Sequence, residues 1–120
     1  MSRIIAGAAG GTTLVSVPGS LTRPTTDRVK EALFSRLDAF EVISDARVLD
    51  LYAGSGSLGV ESASRGAQSV DLVESDGKAS EVCQRNADLG NTVAGRKVVT
   101  VHRSKVDSSL DRAQAAVRWD

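Results

Sequence analysis

Five residues in the middle of the chain have types and spacing that could do chemistry: Asp50, Gly54, Gly56, Gly59 and Glu74. The three glycines stand as G-x-G-x-x-G shortly after a short apolar run formed by Val48, Leu49 and Leu51. In such a turn the first glycine permits the tight bend, the second lets a ligand approach the backbone, and the third lets the following helix pack closely on the sheet. The helix that follows leaves free N–H groups pointing into the same crevice. Glu74 ends the next apolar run, Val70-Asp71-Leu72-Val73, 18 residues past Gly56, where a carboxylate can accept both hydroxyls of a ribose. Asp50 bears on the identity of the ligand. Beside a pyrophosphate it would be repulsive, since two unit charges about 4 Å apart interact by roughly 1–4 kcal/mol. Beside the cationic methionine end of S-adenosylmethionine it would be attractive. A nicotinamide dinucleotide remains the competing ligand, because glycines and a downstream acid fit both.

These residues need strands and helices to hold them, and the chain alternates between the two. Strands are expected over about 46–52, 69–74 and 97–101, and helices over about 57–65, 77–89 and 105–117. Gly66 and Gly90 are the expected stops of the helices at 57–65 and 77–89. Ahead of them, residues 2–17 read as a β-hairpin: Ile4-Ile5 and Leu14 to Val17 are β-prone, and Gly7, Gly10 and Gly11 mark the turn. Pro18-Gly19 ends it, and Arg23-Pro24 leads into a helix over about 25–39. Val29, Leu33, Leu37 and Phe40 recur at helical spacing there and predict its buried stripe. Strand–helix alternation of this kind gives a doubly wound, mainly parallel α/β sheet with right-handed crossovers, a Rossmann-like fold. The division expected is residues 1–22 as a hairpin extension and residues 23–120 as the cofactor-binding part of a larger domain.

Composition narrows the classes. No apolar stretch approaches the roughly 20 residues of a membrane span, and no secretory leader is expected. The one cysteine excludes an internal disulfide framework and suits the cytoplasm. Cys83 falls at helical spacing with Ala79, Val82 and Ala87, as a core thiol would. The single histidine, His102, has no nucleophile or carboxylate partner nominated by the sequence and reads as structural. No zinc spacing occurs, and no G-K-[S/T] follows the glycines, which excludes an ATP or GTP P-loop. Net charge is zero, but residues 1–36 carry +3 and the rest −3, so an anionic partner would meet the N-terminal end.

Four blocks together resemble the RsmD family: Arg3-Ile4-Ile5-Ala6-Gly7; Arg23-Pro24-Thr25-Thr26-Asp27-Arg28-Val29-Lys30-Glu31-Ala32-Leu33-Phe34; Asp50 to Gly59; and Val73-Glu74-Ser75-Asp76. That resemblance implies a class I S-adenosylmethionine-dependent methyltransferase fold. It also implies methylation of a guanine N2 in 16S (small-subunit) ribosomal RNA, on naked RNA or an assembling subunit, in the cytoplasm. By it Asp50, Tyr52, Gly54 and Gly56 resemble the cofactor loop, Glu74 the ribose acid, and Asp107 the acid that meets the adenine amine. Arg23, Thr25, Thr26, Asp27 and Arg28 resemble the segment over the cofactor on the RNA-facing side.

The sequence departs from the family at two points. Thr12 and Thr13 stand where the family usually has basic residues. The family's N/D-P-P-Y/F motif, which holds the target amine and stacks on the flipped base, is absent from these residues, whose prolines are Pro18 and Pro24. Arg118-Trp119-Asp120 looks like the entry to a fourth strand. In that fold the fourth strand lies beside the central one, so self-association through an exposed central-strand edge is expected. Two alternatives stand beside an RNA methyltransferase: a non-catalytic methyltransferase fragment, and a nicotinamide-dependent oxidoreductase.

Overall fold

Three short β-prone runs, rich in Val and Leu, pair side by side in parallel. The structure, a computed structural model, describes residues 3–16 and 27–105. In chain order its elements are α1 (Asp27–Ala39), β1 (Arg47–Asp50), α2 (Ser57–Ser64), β2 (Ser69–Val73), α3 (Gly77–Ala94) and β3 (Val99–His102). The sheet order is β1-β2-β3, with Val48 opposite Val70 and Val70 opposite Val99. Among the described residues β1 is therefore an edge strand. The expected helix at 105–117, the Pro18-Gly19 break and the Arg118-Trp119-Asp120 segment lie outside the described residues.

The core forms where α2 and α3 cover the face bearing Val70, Leu72 and Val99. Ala53, Ala67, Cys83, Ala87 and Val98 complete it. Gly59 sets the closeness of α2: a Cβ placed there would lie 2.2 Å from Leu72 Cδ2 and 3.0 Å from Val70 Cγ1. That is the role the spacing assigns to the third glycine. Gly66 follows the end of α2 at φ +107°, the left-handed conformation expected of a C′ glycine. Asp76 caps α3 by accepting the Ala79 N–H at 2.9 Å.

Three sequence expectations change. α3 does not stop at Gly90. It runs to Ala94 and ends on Gly95 at φ +72°. Gly90 is a crossing point instead, where a Cβ would lie 3.1 Å from Val60 Cγ1 of α2. Leu89, which the helical spacing places inward with Val82 and Cys83, is 38% exposed, whereas Val82, Cys83 and Ala87 are buried.

The N-terminal segment returns antiparallel, but one β-bridge, Arg3 to Thr13, replaces the two strands of the expected hairpin. Its backbone groups are claimed by side chains of α2. Glu61 Oε1 accepts the Ile5 N–H at 2.8 Å and Oε2 that of Ala6 at 3.1 Å. Ser64 Oγ accepts the Ala9 N–H at 2.9 Å and donates to the Ala6 carbonyl at 2.6 Å. Residues 3–16 form an arm strapped along α2, with Ile4, Ala9 and Leu14 packed on Val60.

α1 is rotated from the expectation. Its buried residues are Lys30 and Phe34. Val29, Leu33 and Phe40, from the expected core stripe, are 57%, 42% and 69% exposed. The reason is electrostatic. Glu61 is fully buried and needs a cation, which Lys30 supplies from 3.7 Å while donating to the Arg3 carbonyl. Arg65 adds a second cation, 2.8 Å from Glu61, and reaches Asp38 of α1 at 2.6 Å over the Phe34 ring.

Candidate functional site

β1 and β2 end side by side, and the chain turns over both ends. Asp50 is the last residue of β1, Glu74 follows β2, and the turn between β1 and α2 carries Gly54 and Gly56. The Ala53 N–H donates to the Val73 carbonyl at 3.1 Å, which holds the turn over β2. The structure therefore brings Asp50, Gly54, Gly56 and Glu74 to one crevice at the C-terminal edge of a parallel sheet, where ligands of open α/β sheets bind.

Glu74 is fixed as the turn forms. Its Oε1 accepts the Gly54 N–H at 2.8 Å, and its Oε2 accepts the Asp76 N–H at 3.0 Å. Each carboxylate oxygen keeps a further acceptor site, so the group is oriented without being used up. Asp50 accepts the Tyr52 N–H at 3.1 Å. Burial pushes the Asp50 carboxyl above its ordinary range, with the Glu74 charge adding to the rise against the lowering effect of the Tyr52 bond. Among the described residues neither carboxylate has a cation within ion-pair distance. An anion held at such a site favours a cationic ligand.

The two glycines divide the work differently from the sequence reading. Gly54 stands at φ +58° with nothing within 4 Å of where a Cβ would sit, so the open side of the turn is here. Gly56, at φ +82°, is the point of contact with α3: a Cβ would lie 2.9 Å from Cys83 Sγ and 3.1 Å from Leu72 Cδ1. Gly56 also caps α2 with no side-chain hydrogen bond to its first N–H groups. Cys83 lies fully buried beneath the turn, and burial, helped by the Asp50 and Glu74 charges, pushes its thiol up to about 12. It is a core thiol, as its spacing implies.

The remaining site candidates are spread out. Tyr52 stands at the rim, 82% exposed. Asp27 pairs with Arg3 of the arm, its Oδ2 3.4 Å from the Arg3 Nε, and Arg28 is exposed. Neither bonds to Asp50 or Glu74. Arg23, Thr25, Thr26 and Asp107 lie outside the described residues. His102, for which the sequence nominates no carboxylate partner, pairs with Asp71 Oδ1 at 2.9 Å across the strands, and its carbonyl accepts the Glu74 N–H at 3.1 Å.

Sequence reasoning missed Asn86. It is fully buried on α3, and its Nδ2 donates to the Ser55 carbonyl, between the two turn glycines, at 2.8 Å. One signal was available: Asn86 falls within the inward spacing Val82, Cys83, Asn86, Ala87, Gly90, where a polar residue needs a buried partner.

Comparison with known proteins follows the same lines. The model of a family described as Conserved hypothetical protein 95 matches residues 2–120. YlbH of Bacillus subtilis is 38% identical over 111 residues, 92% of this chain and 58% of YlbH. Ribosomal RNA small subunit methyltransferase D of Escherichia coli is 45% identical over 84 residues, 70% of this chain and 41% of that protein. The chain thus spans about half the length of these curated relatives. A solved structure of a hypothetical protein from Thermus thermophilus is similar at TM-score 0.77 and 33% identity, over 96% of this chain and 62% of that one. An RNA methyltransferase of Salinibacter ruber, solved in complex with S-adenosyl-L-homocysteine, shares the fold at TM-score 0.56 and 17% identity, over 71% of this chain and 52% of that one. The fold is that of the class I methyltransferases.

Proposed function

This chain belongs to the Conserved hypothetical protein 95 family, and on that premise we propose that it supplies the S-adenosylmethionine-binding part of an RNA methyltransferase. The substrate of this reading is the exocyclic N2 of a guanine in 16S ribosomal RNA, naked or in an assembling small subunit, in the cytoplasm. The observation that carries it is the half-buried Asp50 carboxylate beside Glu74, with its proton affinity raised by burial and no ion pair made to it by the described residues. That is a poor place for a pyrophosphate and a good one for the ammonium of a methionine moiety. The name of the Escherichia coli relative supports the RNA substrate.

In this reading Asp50 holds the cationic end and Glu74 accepts from the ribose hydroxyls. The open side of Gly54 admits the ligand to the backbone. Tyr52 borders the crevice, and Asp107 meets the adenine amine. Arg23, Thr25, Thr26, Asp27 and Arg28 are, in this reading, the segment over the cofactor on the RNA-facing side. The bound sulfonium supplies a methyl group already activated for transfer. What the protein contributes is alignment of the guanine amine for in-line attack, so the chemistry calls for no metal. The N/D-P-P-Y/F motif is not among residues 1–120, so methyl transfer is not expected of these residues alone. Self-association through the β1 edge belongs to the same reading.

Calorimetric titration with S-adenosylmethionine and, separately, with NAD tests it. Saturable binding of the former, lost in Asp50→Ala and in Glu74→Ala, is the expected result. Binding of NAD instead would replace the reading by a nicotinamide-dependent oxidoreductase. Binding of neither by a folded chain would favour a fragment without turnover.

A further inference from the structure

Asn86 satisfies three backbone groups from two separate segments. Its Oδ1 accepts the Val15 N–H at 2.8 Å, and its Nδ2 donates to the Val15 carbonyl at 2.9 Å. The side chain thus pairs with the arm as a neighbouring strand residue would. The second Nδ2 hydrogen goes to the Ser55 carbonyl at 2.8 Å. That carbonyl belongs to the Ser55–Gly56 peptide, whose N–H donates to the Ala53 carbonyl at 2.8 Å. The central peptide of the glycine turn is pinned at both ends.

We propose that Asn86 is a positioning residue for the cofactor site: it fixes the Ser55–Gly56 peptide, and the docked arm fixes Asn86. An amide has one donor end and one acceptor end. The Val15 N–H defines which end is the oxygen, so the nitrogen must face both carbonyls. With the arm released, two of the three bonds that orient the amide are lost and the Ser55 bond alone holds it. Arm docking and the shape of the crevice floor are coupled through one buried side chain. This inference rests on the cofactor reading for its ligand, but the pinning itself needs none.

Asn91, partly rather than fully buried, provides a control on the same helix. Its Oδ1 accepts the Val98 and Val99 N–H groups, each at 2.8 Å, and its Nδ2 donates to the Val99 carbonyl at 3.0 Å. It makes the same number of bonds and touches no part of the turn.

The test compares Asn86→Ala with Asn91→Ala in the full chain, with two readouts. The first is affinity for S-adenosyl-L-homocysteine by calorimetry. We expect a loss of about tenfold or more for Asn86→Ala, the scale of one lost buried hydrogen bond, and a value within twofold of wild type for Asn91→Ala. The second, taken without ligand, is amide hydrogen exchange at Gly56, expected to speed up about tenfold in Asn86→Ala only. Should Asn86→Ala fail to fold, Asn86→Ser, which keeps one hydroxyl donor, takes its place. Affinity within twofold of wild type, or unchanged Gly56 exchange, overturns the inference. If the wild-type chain itself does not bind S-adenosyl-L-homocysteine, the cofactor reading falls and Gly56 exchange alone decides the role of Asn86.

Discussion

The molecule has two regions built on different physics. The crevice region, β1 through α3, is held by parallel backbone pairing, by buried Val70, Leu72, Cys83 and Ala87, and by glycines where elements meet closely. The region made of the arm and α1 is held by side chains bonded to backbone: Glu61, Ser64, Lys30 and Asn86 each reach a carbonyl or N–H of the arm. Among the described residues no buried side-chain nitrogen or oxygen lacks a partner. The difference teaches that apolar burial tolerates many arrangements, whereas a buried polar clip tolerates one.

That contrast predicts where a single substitution does most damage. Glu61→Ala removes the carboxylate 3.7 Å from the buried Lys30 Nζ, and strips the Ile5 and Ala6 N–H groups of their acceptor. A loss of about 3–5 kcal/mol is expected, the cost of breaking a buried ion pair from one side. Lys30→Met is expected to cost less, because Glu61 keeps Arg65 at 2.8 Å. Urea denaturation of both variants checks this, and equal losses would mean that Glu61 is not the hub.

The crevice region should respond through packing. Gly59→Ala drives a methyl group into Leu72 and Val70 and is expected to cost about 1–3 kcal/mol. Gly54→Ala meets no atom and carries only the left-handed φ, about 1 kcal/mol. Thermal melts of the two order these effects. If Gly54→Ala were the more damaging, the open side of the turn would be closed in solution.

Legibility in the sequence follows the same division. The order of strands and helices, the parallel sheet and the crevice glycines were legible because apolar period and glycine spacing are local signals. The end of α3 was not, because whether Gly90 stops a helix or serves a crossing depends on Val60, a residue of another element. The face of α1 was not, because its orientation is chosen by Glu61, 31 residues from Lys30 in sequence. Of the site, Asp50, Gly54, Gly56 and Glu74 were readable and converge. Asn86 was readable only as a polar residue at an inward position, since nothing in its neighbours in sequence names Val15 or Ser55 as its partners.

A smaller effect of opposite sign is expected at Asp50. Its folded carboxyl is raised above the ordinary value of 3.8 by burial. Folding therefore favours the protonated form, and the stability this group contributes is present below about pH 3.8 and lost as pH rises through the raised value. Asp50→Asn removes that loss. Its melting temperature should exceed that of the wild type at pH 7, and the gap should close as the pH falls towards 3.8. In the proposed function the same substitution weakens cofactor binding, so stability and binding would move in opposite directions. A gap that persists at acid pH would show that desolvation of the charge is not its origin.

The smallest expected effect discriminates most sharply between the two regions. Leu33 and Phe34 are adjacent on α1, and only Phe34 is buried. Were the apolar spacing of Val29, Leu33, Leu37 and Phe40 the rule for this helix, Leu33→Gln would cost several kcal/mol, as core substitutions do. With Glu61 and Lys30 setting the face, Leu33→Gln should lie within about 0.5 kcal/mol of wild type. Phe34→Ala, which also removes the ring under Arg65, should cost about 3–5 kcal/mol. Urea melts at two protein concentrations separate the remaining possibility. A cost for Leu33→Gln that grows with concentration would mean that another copy of the chain covers this stripe, and that the apolar pattern of α1 is read in the assembly rather than in the monomer.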